Sequence, residues 1–184
     1  MANNRRIIEN AASGERIVVV RTAAETGGEL FAFELFLRPG AKVPAAHVHP
    51  EQQERFTVLE GRVRFRLGMR FRTALPGDRV TVTVGTSHSF ANPGPRAAHL
   101  LVEVRPALHM EEALIAAAEL PGAGRQRHRL SFPLRVALFL QEFDREVAVP
   151  LVPGALARLV VGPLAWVGRK CGLAARDHPR RGRS

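Results

Sequence analysis

A single cysteine, Cys171, stands in 184 residues, so an intramolecular disulfide and any cysteine-rich metal site are excluded. A metal held by this chain must therefore sit on His, Asp or Glu. Residues 1–10 lack the roughly 7–15-residue apolar stretch of a secretory signal, offering only Ile7-Ile8 behind Arg5 and Arg6. Together with the lone thiol, expected to be buried and inert, this reads as a cytoplasmic protein. There is no internal repeat, no low-complexity segment before the arginine-rich last nine residues, and no helix-turn-helix, so nucleic acid is not an expected partner. Acidic residues run short at the C-terminal end: residues 1–124 hold 15 basic and 13 acidic side chains, residues 125–184 hold 12 and 4. Most of the net charge of +10 thus belongs to the last sixty residues. That part either meets an anionic surface or is a solvated basic tail.

An apolar content of 46% is enough for one medium core without staples. Between residues 16 and 105 short alternating runs are separated by turn residues, which reads as an all-β region. Residues 16–22, 30–38, 55–60, 62–67, 69–72, 79–84 and 97–105 are predicted strands, punctuated by Gly27-Gly28, Pro39-Gly40, Gly61, Gly68 and Pro76-Gly77. Val63, Phe65 and Leu67 alternate with Arg62, Arg64 and Arg66, and Met69 and Phe71 with Arg70 and Arg72. If these two runs pair as a hairpin, five arginines are expected to share an outer face. Val80, Val82 and Val84 are expected to point inward. Even strand spacing of this kind suits a closed barrel or jelly roll.

After Pro106 the pattern becomes helical. Residues 109–120 form one predicted helix; Ser131 with Pro133 opens a second, whose Val136, Phe139, Leu140, Phe143 and Val147 make a single apolar face. Residues 147–168 carry one charge, Arg158, and precede Arg169, Lys170, Arg176, Arg180, Arg181 and Arg183. Three prolines and the central arginine argue against a spanning helix. Two arrangements remain: a pair of short helices broken at Gly162-Pro163 that packs on the barrel or a second subunit, or a helix in the interface of an anionic membrane with Leu156, Leu159, Val160, Leu164 and Trp166 in the lipid. The chain accordingly divides into an N-terminal arm (1–15), a β-barrel (16–106) and a helical extension with a basic tail (107–184).

His47 and His49 are two apart, so on a strand both side chains share a face, and Glu54 on the following strand can join them from the same hairpin. A bare pair of this kind is common by chance, and more distant spacing has to decide. The stretch His47-x-His49-x4-Glu54-x6-Gly61 is followed, after 15 residues, by Gly77-x5-Thr83-x-Gly85-x2-His88-x3-Asn92. This resembles the paired motifs of the cupin superfamily. Two departures lie off the ligand positions: Gly40 stands one residue further from His47 than the family pattern has it, and Thr83 replaces a proline. The resemblance, over residues 30–105, implies an all-β jelly-roll barrel (a double-stranded β-helix), here with a C-terminal α-helical extension. It also implies one divalent transition metal on His47, His49, Glu54 and His88. Three imidazoles and a carboxylate suit Fe, Mn, Ni, Cu or Zn and leave positions open.

An open metal in an apolar pocket acts as a Lewis acid or supports O₂ chemistry beside a chelating small molecule. By strand parity Phe31, Phe33, Phe56, Val58, Phe65, Val82 and Phe90 are the pocket candidates. One reading is a metal-dependent dioxygenase, an oxidoreductase acting on a small aromatic or enolisable compound and similar to the quercetin dioxygenase branch, with Glu54 as ligand or catalytic base. The alternative is a non-enzymatic metal- or metabolite-binding sensor. The deoxysugar epimerase branch uses a tyrosine acid, and this chain has no tyrosine. Cupins resembling this one are commonly dimers, which makes a homodimer the expected assembly. His99, His109, His128 and His178 have no spacing to the motif and are assigned to surface or packing roles.

Overall fold

The structure is a computed structural model and describes residues 5–10, 13–42, 46–120, 131–150 and 154–175. His128 and His178 lie outside the described residues. Nine strands and three helices are present among them: β1 (Ile7–Asn10), β2 (Glu15–Arg21), β3 (Phe31–Leu37), β4 (Gln53–Glu60), β5 (Val63–Leu67), β6 (Arg70–Ala74), β7 (Arg79–Val82), β8 (His88–Ala91), β9 (Ala98–Arg105), α1 (Met110–Glu119), α2 (Ser131–Glu142) and α3 (Gly154–Lys170). All strand pairs are antiparallel, in a six-stranded sheet ordered β1-β2-β3-β9-β4-β7 and a three-stranded sheet ordered β6-β5-β8. This is the jelly-roll barrel with a helical extension. Its alternating residues supply the core, with Phe31, Leu37, Phe56, Val58, Val63, Phe65, Leu100, Val102 and Val104 all at 0% exposure.

The N-terminal arm supplies β1, a strand the sequence pattern did not reveal because four residues are too few to display a period. Ile7 pairs with Val18 and Asn10 with Glu15, and Arg6 reaches Glu111 of α1 at 2.8 Å. Gly61 turns β4 into β5 at φ 76°, where a Cβ would lie 2.7 Å from the carbonyl oxygen of Ala97. Glycine is required there by both conformation and space. Asn92, almost fully buried, sets its amide nitrogen against the carbonyls of Leu37 (3.0 Å), Arg38 (3.2 Å) and Arg96 (2.7 Å), tying the end of β3 to the loop before β9.

Several expectations are corrected here. Residues Gly68 and Met69 make a two-residue turn that pairs Leu67 with Arg70, so even-numbered residues of β5 face odd-numbered residues of β6. Directly paired residues share a face. Arg64 and Arg66 therefore stand beside Thr73 and Phe71, while Arg70 and Arg72 fall on the opposite face with Leu67 and Phe65. The five arginines do not share one surface, and Phe71 is 62% exposed under the Arg64 guanidinium, 4.6 Å from the ring centroid. Val84 is also outside: β7 ends at Val82, and the chain turns through a bond from the Thr86 N–H to the Thr83 carbonyl (3.0 Å). The two threonine hydroxyls meet at 2.9 Å, a local closure by hydrogen bonding where the family has proline.

The third correction concerns the extension. α3 does not break at Gly162-Pro163 but runs through Pro163 to Lys170. Proline removes one N–H and crowds the carbonyl four residues before it, here that of Leu159. Both residues stand on the exposed side of the helix, where water can satisfy that carbonyl. α2 carries two apolar faces: Phe139, with Phe143 just beyond the helix, joins the barrel core, against which Leu140 and the later Val147 pack, whereas Ala137 and Leu138 pack with Ala165 of α3. Cys171 is exposed just after α3, contrary to its expected burial. Among the described residues no helix is long and apolar enough to cross a membrane.

Candidate metal centre

His47 and His49 reach the barrel by a route that the hairpin expectation missed. Their segment pairs with β8, not with β4: His47 and His88 exchange both backbone bonds, at 3.0 and 2.9 Å, while the His49 carbonyl accepts from the Gly85 N–H at 2.9 Å. The chain then crosses through Pro50–Gln52 into the other sheet, where Glu54 on β4 is flanked by Val82 and Val104. The site therefore lies between the two sheets. The imidazole nitrogens of His47, His49 and His88 offer ligand atoms all within 4.8 Å of one another, with ring centroids 4.3 to 5.1 Å apart. Glu54 closes the group: its Oε2 lies 3.1 Å from His88 Nε2 and 3.4 Å from His49 Nε2. All four residues that the motif singled out are thus brought together. His49, His88 and Glu54 are buried, and His47 is the most open of the set.

Two backbone carbonyls orient the rings. His49 Nδ1 lies 2.5 Å from the carbonyl oxygen of Glu146, and His88 Nδ1 lies 3.1 Å from that of Thr86. A carbonyl only accepts, so in both rings Nδ1 carries the proton and donates it, and Nε2 is turned toward Glu54. This is the arrangement by which ring orientation is fixed around a metal. His49 Nε2 is buried 3.4 Å from the Glu54 carboxylate and has no hydrogen-bond partner, a position that a cation would satisfy. Burial alone would pull the His49 pKa down, yet the Glu54 carboxylate and the Glu146 carbonyl hold it above its ordinary value. Burial would raise Glu54, but the imidazoles of His49 and His88 hold it well below the usual carboxylate range. Glu54 is accordingly a carboxylate, and a cation favours it further. The donor set fits a divalent transition metal.

Sequence reasoning missed the part played by residues 146–148. They follow α2 and return to the barrel, where Val48 and Ala148 exchange backbone bonds of 3.0 Å each. Glu146 is buried, and its Oε1 accepts from the His109 N–H at 3.0 Å, so the extension is tied both to the metal-site segment and to the start of α1. Arg145 adds a salt bridge to Glu51 at 2.6 Å on the surface. Nothing in the sequence distinguishes Glu146 from the neighbouring Glu142 and Asp144, so no local signal marked it. Gln52, also fully buried, donates to the carbonyls of Pro106 (2.9 Å) and Ala107 (3.0 Å) and fixes the exit from β9.

The residues chosen as pocket lining, Phe31, Phe33, Phe56, Val58, Phe65, Val82 and Phe90, are all buried. Phe56, Phe65 and Phe90 form one ring cluster with centroids 5.1 to 5.8 Å apart, and Phe31 packs on Phe33 at 5.3 Å. They fill space between the sheets, which leaves the side of His47 as the more open approach. His99 packs flat on Phe36 with centroids 4.2 Å apart, and His109 is exposed apart from its bonded N–H.

A jelly roll that gathers three imidazoles and a carboxylate between its sheets defines a class of small β-barrels able to hold a metal. Residues 33–104 match the Cupin domain family, and the barrel of this chain belongs to the cupin superfamily. It is similar in fold to an RmlC-like cupin from Shewanella frigidimarina NCIMB 400, at 18% identity and TM-score 0.51 over 60% of this chain and 92% of that one. A predicted oxalate decarboxylase from Thermotoga maritima gives 21% identity and TM-score 0.50, over 55% and 91%. A cupin-superfamily sugar phosphate isomerase from Silicibacter pomeroyi DSS-3 shares 28% identity over 56% and 71%, at TM-score 0.47. No curated protein matches the chain.

Proposed function

We propose that this cupin binds one divalent transition metal and acts as a metal-dependent oxygenase on a small chelating compound, aromatic or enolisable. The observation that carries the reading is the orphaned, buried Nε2 of His49, held by a backbone carbonyl and aimed at a group containing His88, His47 and an ionised Glu54. When bound, the metal would supply Lewis acidity and a meeting place for O₂ and substrate. His47, His49 and His88 would hold it, and Glu54 would either ligate it or take a substrate proton at Oε2. The imidazoles keep Oε2 ionised but depress its basicity, so ligation is the better supported of the two roles. A second reading, a metal or metabolite sensor without turnover, is favoured by the Phe56–Phe65–Phe90 cluster, whose rings occupy the barrel beside the site.

Metal content of protein purified without supplement, followed by titration with Fe(II), Mn(II), Ni(II), Cu(II) and Zn(II), tests the centre. His88→Ala is expected to lose most of the bound metal while the fold is kept. A wild type that takes up none of the five ends the reading. O₂ uptake with flavonols, diketones and catechols then tests catalysis: consumption should need both metal and substrate and disappear in Glu54→Gln. Stoichiometric binding without turnover across the panel selects the sensor instead.

A further inference from the structure

Helix α3 is built with its large apolar side chains outward. Leu156, Leu159, Val160, Pro163, Leu164 and Val167 recur at i, i+3, i+4, i+7, i+8 and i+11, which is one continuous stripe of a helix. Leu156 is 53% exposed, Leu159 71%, Val160 60% and Trp166, at the stripe's edge, 58%. The opposite face carries the small residues. Val161, Ala165 and Gly168 pack toward α2, and a Cβ on Gly168 would come within 3.0 Å of Leu138. Close packing by small residues gives α2 and α3 a firm hairpin without using the large side chains. An exposed stripe of this size marks a surface that meets another apolar phase.

Charge indicates which phase. Residues 147–176 contain no Asp or Glu, and the helix ends in Arg169 and Lys170, with Lys170 5.8 Å from the Trp166 ring centroid. Beyond it the sequence adds Arg176, Arg180, Arg181 and Arg183 against one Asp177. Two copies joined through this stripe would bring two acid-free, basic segments together, so like charge opposes a dimer here. An anionic lipid surface satisfies both features, accepting the apolar stripe at the acyl boundary and the basic end among the headgroups. Tryptophan at the edge of the stripe, beside a lysine, matches the preference of both for the headgroup level. At 17 residues the helix is about 25 Å long and suited to lying flat.

We propose that α3 docks this protein on anionic membranes, lying in the interface with Leu156, Leu159, Val160, Leu164 and Trp166 in the lipid and Lys170 at the headgroups. The proposal is independent of metal binding. Vesicle flotation of the full chain is expected to show binding to equimolar phosphatidylcholine–phosphatidylglycerol at low salt, little binding to phosphatidylcholine alone, and release by salt. Leu159→Glu should cut binding at least tenfold or so, since it sets a carboxylate at the acyl boundary. Leu159 is open to solvent, so circular dichroism and the melting temperature should stay those of wild type. Lys170→Ala should weaken binding about fivefold. Absence of binding to the anionic vesicles, or binding untouched by Leu159→Glu in the folded variant, overturns the proposal. So does a concentration-dependent dimer in solution that Leu159→Glu dissolves while vesicle binding is absent, an outcome that gives the stripe to a second copy.

Discussion

Ala148→Pro isolates the contact between the helical extension and the metal-site segment. Proline removes the N–H that Ala148 donates to the Val48 carbonyl at 3.0 Å and drives Val147 toward extended backbone. One backbone bond is worth about 0.5–1.5 kcal/mol net, a loss the barrel core should tolerate. The larger effect falls on His49. Two residues upstream, the Glu146 carbonyl fixes the His49 tautomer at 2.5 Å, and a shift of residues 146–148 leaves Nδ1 without its acceptor. Loss of a partner of this kind lowers metal affinity about 10- to 100-fold, equivalent to roughly 1.4–2.7 kcal/mol. Calorimetric titration with the metal that wild type binds most tightly would measure it, with Ala148→Val, which keeps the N–H, as the control. If Ala148→Pro folds, melts within a few degrees of wild type and binds metal just as tightly, the extension does not orient His49 and the reasoning is refuted.

The apparent stability of the site should depend on pH in opposite senses with and without metal. In metal-free protein the raised His49 pKa contributes stability that is complete below its ordinary 6.5 and is lost as pH rises through the folded value; the depressed Glu54 contributes above its ordinary 4.5 and loses this as pH falls through its own. Metal must displace the proton on His49, so the rise in melting temperature on adding metal should grow between about pH 5 and pH 8; a shift that is flat or largest at the acid end contradicts the assignment of His49 as a ligand. Phe65→Ala, which removes a fully buried ring in contact with Phe56 and Phe90, should cost about 3–5 kcal/mol in denaturant unfolding. A loss below about 1 kcal/mol would mean that the cluster lines open space and is a pocket after all.

The barrel strands were legible because period-2 alternation and turn glycines are local properties: Phe56 and Val58 had to share a face, and Gly61 had to close a turn whichever strands became neighbours. The four site residues were legible through resemblance, since the spacing of His47, His49, Glu54 and His88 is similar to that of the paired cupin motifs. Pairing partners were not. Whether even residues of β5 meet odd or even residues of β6 depends on the length of one turn, and that parity decided which face Arg70 and Arg72 occupy. That His47 pairs with His88 at the edge of the three-stranded sheet, and that Glu146 and Ala148 return from 97 and 100 residues away to hold the His49 segment, are products of chain closure. The sequence by itself determined which residues can bind a cation and which must avoid water. Tertiary structure decided how His49 is turned toward Glu54, and that α3 buries its small residues and leaves its large ones outside, because both outcomes depend on contacts between segments far apart in the chain.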